Sequence, residues 1–286
     1  MRNRVKRVTK MKGTGSDIQT EVYVTVLTND NYIPGVKALK RSLRNVKSKH
    51  DLVILVPKSK EKELRNILEK NRIPDEHCTV CAKEDLEVEY PEDLHFGEHY
   101  WANTFFKLCV AQCTEFKKII LLDSDMLITN NIDHLFARPH YSAVIGGHCG
   151  EPEYTKLNSG LMVLEPGEAF YNQLLDSIRP AMYRRYQEGN NIGDQDVFIE
   201  AYKGWEDHPE LILPEIYNCF FRFVRVLARK EKINLSEISV VHFVGKEKPW
   251  SNGCFTWNNI RRCVSFIRHG RFYELSIYVK YLLYAI

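Results

Sequence analysis

The 286-residue sequence has no apolar run long enough to span a bilayer. Its most apolar segment, Phe272 to Ile286, is short and broken by Lys280. It is aromatic enough to lie at a membrane interface, but docking onto the body of the protein is the simpler expectation. No apolar core follows the basic N-terminus, because Thr9 to Thr20 is polar, so the sequence leads us to expect neither a signal peptide nor an anchor. Cysteine is scarce, with eight residues at irregular spacing, which excludes a disulfide scaffold. Cys78-Thr-Val-Cys81 has no correctly spaced second pair, and Cys109 and Cys113 lie four apart on a predicted helix, so zinc fits poorly. Buried free thiols in a reducing cytoplasm are expected instead. Repeats and low-complexity tracts are absent after residue 20, and so is any recognisable motif for reading nucleic acid. A strong charge of one sign is missing too, the formal net charge being +3.

That small sum conceals basic ends. Residues 1–20 hold six Lys/Arg against Asp17, and residues 258–286 hold five against Glu274, leaving 29 bases and 35 acids between them. A solvated tail and an ordinary C-terminal helix account for this. The sharper alternative is peripheral attraction to an anionic surface. The hydrophobic fraction of 44% and charged fraction of 27% are those of a globular protein. The division expected is a basic flexible tail over 1–20, a catalytic domain over 21–257 and a basic, aromatic helical extension over 258–286.

Strand and helix patterns alternate along the chain. Glu21 to Leu27 is apolar and rich in β-branched residues, as a buried strand would be. Asn29-Asp-Asn31 marks a turn, and Ile33, Val36, Leu39, Leu43 and Val46 then fall on one helical face. Asp51 to Pro57 predicts a second strand, and Ser59 is expected to cap a charged helix running to about Arg72. A helix over roughly 102–115 precedes a third buried strand, Lys118 to Leu122. This order implies an α/β fold with a mostly parallel central sheet flanked by helices, and ligands bind beyond the carboxyl ends of such strands.

Asp123-Ser124-Asp125 stands at one of those ends. In extended backbone, residues i and i+2 project to one side, so both carboxylates would aim at one point. Two carboxylates completed by diphosphate oxygens suit Mg²⁺ or Mn²⁺. Such a triplet alone also fits a nucleotidyltransferase, a phosphatase or a solvated turn. His242, on the apolar strand expected over Ser239 to Val244, would by itself be read as a satisfied core residue.

Further blocks narrow the choice: Leu27-Thr28-Asn29-Asp30-Asn31-Tyr32, Leu157 to Pro166, Gly193-Asp194-Gln195-Asp196, and Val241 to Trp250. With Asp123-Ser-Asp125 between them, they resemble glycosyltransferase family 8, which includes glycogenin and galactinol synthase. The resemblance covers about residues 21–252. It implies a single GT-A type nucleotide-diphospho-sugar transferase domain, a UDP-hexose donor, Mn²⁺ with Mg²⁺ as the alternative, and retention of configuration. By the same resemblance Asp123, Asp125 and His242 would be metal ligands. Lys248 would contact the diphosphate, with Gly245 allowing close backbone approach. Leu27, Thr28, Asn29 and Tyr32 would form the uridine pocket, and Ser124 leaves room for the ligand between the two aspartates. Lys107 would touch the donor, while Asn158, Ser159, Asp194 and Gln195 would line the sugar and its reacting carbon. Retention leaves two routes open: a double displacement with Asp194 as nucleophile, or attack from the face the leaving group departs. A bland reading of Asp194 is a helix N-cap.

The chain departs from glycogenin-like sequences at Ala143 to His148 and at Asn191, both near the donor sugar in the family, so glucose and galactose both stay open. Tyr217 matches a framework position rather than a self-modified tyrosine. Asn131 to Phe136 looks closer to galactinol synthase, which favours a polyol such as inositol, or a sugar, as acceptor. Two competitors are a non-catalytic UDP-sugar-binding regulator and a nucleotidyltransferase. The second lacks its usual glycine-rich basic loop, since Thr28 to Tyr32 follows the first strand. The reading is therefore a cytoplasmic hexosyltransferase whose oligomeric state, a homodimer included, is open.

Overall fold

The computed structural model describes residues 20–91, 94, 99–146 and 153–286. The chain opens with β1 (Glu21–Val26), α1 (Ile33–Asn45), β2 (Leu52–Pro57), α2 (Glu61–Lys70) and β3 (Cys78–Lys83). A tightly wound 3₁₀ segment, His99–Gln112, leads to β4 (Lys118–Leu122) and β5 (Met126–Ile128). Next come β6 (Ser142–Ile145), β7 (Leu157–Leu164), α3 (Glu168–Gln187) and α4 (Asp194–Ala201). The last part holds β8 (Ile212–Leu213), β9 (Cys219–Phe220), α5 (Val224–Glu231), β10 (Val240–His242), α6 (Trp257–Arg268) and α7 (Phe272–Ala285).

Among the described residues, seven strands form the main sheet in the order β3-β2-β1-β4-β7-β6-β8. Only β7 runs against the rest: it is antiparallel to β4 and β6, whereas β1, β2, β3 and β4 pair parallel. Both faces of this sheet are buried, which is why its strands read as continuous apolar runs. Val22, Val24, Ile119 and Leu121 point into a core shared with α3, α4 and the 3₁₀ segment. Their neighbours Tyr23, Ile120 and Leu122 point the other way, into a core capped by α1 and α2. Each buried Leu, Ile or Val contributes on the order of 1.5–3 kcal/mol.

The chain runs outward from β1 to β2 and returns to β4 on its other side, so the strand order reverses at β1. Ligand crevices in open α/β sheets form at such switch points. Here β1 and β4 pair in parallel, and Thr28 and Asp123 each lie just past the carboxyl end of one of them. A smaller sheet, β5-β10-β9, stands beside this crevice and packs on α5, α6 and α7. The face of α7 bearing Ile277, Tyr278, Tyr281 and Leu282 is buried, and α7 packs along α1.

Four sequence expectations need correction. The strand before the aspartates is the fourth, because β3 lies earlier; its Cys-Thr-Val-Cys-Ala-Lys sequence is too mixed to stand out. The helix expected over 102–115 is a 3₁₀ segment ending at Gln112. Ser59 does not cap α2: its hydroxyl and backbone N–H both donate to Asp85, and the helix begins at Glu61. Asp123 and Asp125 do not share a strand pleat either. The chain turns between β4 and β5, with Met126 N–H donating to Asp123 O at 3.3 Å, and this turn sends Met126 to the smaller sheet.

Candidate active site

The turn after β4 is held from three directions. Asp123 N–H donates to Gly160 O on β7 (2.8 Å), and Asp125 O accepts from Phe243 N–H beyond β10 (3.0 Å). From below, Gly35 of α1 packs so closely that a Cβ there would lie 2.5 Å from Ser124 O and 2.9 Å from the Trp250 ring. Only glycine admits this approach. The two carboxylates therefore meet at one point through tertiary contacts rather than strand geometry.

His242, at the end of β10, completes the cluster. One ligand atom each from Asp123, Asp125 and His242 lies within 4.8 Å of the others. The imidazole Nε2 is 3.0 Å from Asp125 Oδ1 and 3.7 Å from Asp123 Oδ2. A chain of buried amides sets the ring's orientation. Gly160 N–H donates to Asn158 Oδ1 (2.9 Å), which also accepts from Asn218 Nδ2 (2.7 Å). Asn218 must then present its oxygen to His242 Nδ1, 2.9 Å away. The proton is thereby placed on Nδ1, and in the neutral ring the Nε2 lone pair faces the carboxylates. A metal-ligating histidine is typically oriented in this way by a hydrogen bond on its other nitrogen. Gly160 makes room for the ring, since a Cβ there would lie 2.9 Å from His242 Cε1. Two carboxylate oxygens and one imidazole nitrogen are a donor set that fits Mn²⁺ or Mg²⁺.

Two lysines flank the aspartates. Lys248 Nζ pairs with Asp125 Oδ2 and donates to Phe243 O. Burial pushes the Asp125 carboxyl up, but His242, when its ring carries a second proton in place of a metal, and Lys248 hold it well below the usual carboxylate range. Lys107, buried on the 3₁₀ segment, bridges Asp123 Oδ1 (2.6 Å) and Asp194 Oδ2 (3.2 Å). Burial pulls its ammonium down, yet the two carboxylates outweigh this and hold it above the ordinary lysine value.

Asp194 opens α4 without capping it. Gly193 is the N-cap, and Asp196 Oδ2 accepts from Gly193 N–H at 3.0 Å, which frees the Asp194 carboxylate. That carboxylate accepts from Ser159 Oγ (2.8 Å) while its backbone N–H donates to Thr104 Oγ1 (3.0 Å). Gln195 is held at both ends of its amide. Its Oε1 accepts from Ser159 N–H (3.2 Å), and its Nε2 donates to Tyr154 OH (3.1 Å).

The residues expected at the nucleoside end divide. The Leu27 side chain is fully buried in the core. Asn29 caps the turn Asp30–Tyr32 by accepting from Asn31 N–H. Thr28 O accepts from Lys60 Nζ (3.0 Å). Tyr32 meets Trp250 edge to face at 6.1 Å, with Lys248 Nζ 5.9 Å from its ring centre. Trp250 Nε1 donates to Asn31 O (2.8 Å), tying the opening block to the closing one. Gly245 has φ +111°, a conformation that side chains rarely adopt. Residues 147–152, including part of the Ala143 to His148 departure, lie outside the described residues. Tyr217 donates to or accepts from His134 Nε2 at 2.8 Å, as a framework residue would. Sequence reasoning missed Gly35, Thr104, Tyr154 and Asn218. Asn218 directly follows the tyrosine that the sequence did single out, and the Pro34-Gly35 pair opening a helix was the other visible signal.

Comparison with known proteins follows the same blocks. A model of glycosyl transferase family 8 matches residues 23–254. Glycogenin-1 of Caenorhabditis elegans is 31% identical over 81% of this chain and 51% of its own length. Galactinol synthase 1 of Ajuga reptans is 26% identical over 80% of this chain and 73% of its own. The chain thus spans about half the length of the glycogenin it matches. Among solved structures, the galactosyltransferase LgtC in complex with donor and acceptor sugar analogues superposes with a TM-score of 0.57 at 16% identity, covering 84% of this chain and 93% of that one. That likeness carries the GT-A fold. The family match spans the switch-point crevice, the aspartate turn and the β10 histidine together, and on that ground the chain belongs to glycosyl transferase family 8.

Proposed function

We propose that this protein is a retaining, Mn²⁺-dependent hexosyltransferase that moves glucose or galactose from a UDP-sugar to a hydroxyl of a polyol such as inositol, or of a sugar. The observation that carries this reading is the convergence of Asp123, Asp125 and His242 at 4.8 Å or less, with Lys248 and Lys107 on either side. Asp123, Asp125 and His242 would hold the metal, which when bound neutralises charge developing on the leaving diphosphate. Lys248 adds a second positive charge there, beside the glycine turn at Gly245, whose open backbone lets phosphate oxygens come close. Tyr32, with the backbone at Leu27, Thr28 and Asn29, would receive the uridine, and Ser124 would keep the space between the aspartates open.

Asp194 and Gln195 are the groups we assign to the reacting carbon. Lys107 and Ser159 hold the Asp194 carboxylate in position, where it would attack that carbon or stabilise positive charge on it. Gln195, tethered by Ser159 and Tyr154, would present its amide to the same carbon. Asn158 would face the sugar while also orienting His242 through Asn218. We assign catalysis to residues 21–257, with 1–20 and 258–286 appended to it. The seven cysteines among the described residues are all free thiols, which supports a cytoplasmic setting.

The deciding experiment incubates the protein with a panel of UDP-hexoses, Mn²⁺ or EDTA, and mixed polyol and sugar acceptors. Metal-dependent UDP release with one donor, and glycoside of unchanged anomeric configuration, is the expected result. Pyrophosphate release would mean nucleotidyl chemistry, and UDP binding without turnover on any acceptor would mean a binding protein.

A further inference from the structure

Exposed apolar side chains gather on α6, the helix before the C-terminal run. In α6 only Asn259 and Phe266 are buried. Asn259 suspends the helix, its Nδ2 donating to the carbonyls of Pro249 (2.8 Å) and Cys254 (2.9 Å) while its Oδ1 accepts from Tyr278 OH (2.6 Å). The opposite face is apolar and open to solvent: Trp257 is 70% exposed, Ile260 49% and Ile267 53%, with Phe255 at 77% just before the helix. An amphipathic helix normally buries its apolar stripe; this one turns a stripe outward.

The charges interleaved with that stripe have one sign. From Trp250 to Tyr273 the chain contains four arginines and no acidic residue. Arg271 pairs with Glu274, and Arg262 lies over the Tyr278 ring. Arg261 and Arg268 are exposed, form no ion pair among the described residues, and line one shallow hollow with Trp257, Ile260 and Val264.

We propose that α6 is a docking element that lays this face on an anionic phospholipid surface, with the rings and aliphatic chains at the acyl boundary and Arg261 and Arg268 among the phosphates. Tryptophan and arginine on one helical face is the composition of helices that lie in a bilayer interface. A second copy is a poor occupant, because a two-fold pairing of this face would set Arg261 and Arg268 against their own equivalents. Among the described residues no helix is long and apolar enough to cross a membrane, so contact would be peripheral.

The test is co-sedimentation of the full chain with vesicles of phosphatidylcholine alone or mixed with phosphatidylglycerol, with sedimentation velocity in parallel. Binding to the mixed vesicles, lost on neutral ones and in high salt, is expected. Arg261→Ala with Arg268→Ala should weaken it about 25-fold, about fivefold for each charge. Ile260→Glu with Ile267→Glu should abolish it while leaving UDP-sugar turnover unchanged. Quenching of tryptophan fluorescence by brominated lipid should occur in the unaltered protein and fall in Trp257→Phe, which tests the contact even where a double variant folds poorly. Equal binding to both vesicle types, or binding retained by the glutamate variant, would overturn the proposal. So would a concentration-dependent dimer that the same variant dissolves.

Discussion

Asn218→Ala should weaken Mn²⁺ binding without removing a ligand. The His242 Nδ1 proton would lose its 2.9 Å acceptor, and Asn158 Oδ1 would lose a 2.7 Å donor, both inside the protein. Loss of a hydrogen bond that orients a ligand costs about 10- to 100-fold in metal affinity, or roughly 1.4 to 2.7 kcal/mol. An orphaned buried donor costs about 1–3 kcal/mol of stability in addition. Two readings are needed, Mn²⁺ titration followed by electron paramagnetic resonance and thermal melting with and without Mn²⁺. Asn218→Asp separates the roles: its carboxylate can still accept from Nδ1 but meets Asn158 Oδ1 as a second acceptor. We expect the Asp variant to retain more Mn²⁺ affinity than the Ala variant while melting below the unaltered protein. Wild-type Mn²⁺ affinity in Asn218→Ala would refute the tautomer argument.

Three other expectations can be checked on the same preparations. Asp125→Asn should lower metal-dependent UDP release by more than about a hundredfold, with little change in the circular dichroism spectrum; full activity would remove Asp125 from the metal site. Gly35→Ala should push Ser124 O, 2.5 Å from the new carbon, and with it the aspartate turn. A cost of about 1–3 kcal/mol, seen as a lower melting temperature and weaker Mn²⁺ binding, is predicted, and wild-type values would show that the contact is slack. Asp133 accepts from Tyr23 OH, Ser48 Oγ and Lys49 N–H. Burial raises its pKa, but these donors outweigh it and depress the value in the fold. A carboxyl depressed on folding stabilises fully above its unfolded pKa of about 3.9 and loses that contribution as pH falls through the folded value. Asp133→Asn should therefore destabilise at neutral pH and converge with the unaltered protein in acid; a gap independent of pH would contradict the linkage.

The parts of the fold set by local pattern were legible before the structure. β1, β2, β4 and α1 are all where runs of β-branched residues or helical spacing placed them. Asp123 and Asp125 were conspicuous as charge directly after a buried strand, whereas His242 was assigned only because the glycine and lysines after it match the block of the family that the chain resembles. What escaped depends on distant pairing. β5 and β9 are three and two residues long, too short for any periodicity, and exist only because they pair with β10, the strand that the apolar stretch around His242 did announce. Asn218 acts through Asn158, 60 positions away, and Gly35 through a carbonyl beyond the next three strands. The outward stripe of α6 was also illegible, because amphipathic spacing says that two faces differ without saying which one is packed.

The smaller sheet has a consequence for synthesis. Its strands come from three separate stretches, and Lys248 reaches an aspartate 123 residues earlier in the chain. During translation the N-terminal strands emerge and pair first, while contacts of such long separation form late. The metal-binding centre therefore cannot close until β10 has left the ribosome. A chain stopped short of that point would carry both aspartates but no complete cradle for a cation. Tight cation uptake would then mark a finished polypeptide, and a stalled one would be unable to consume activated sugar.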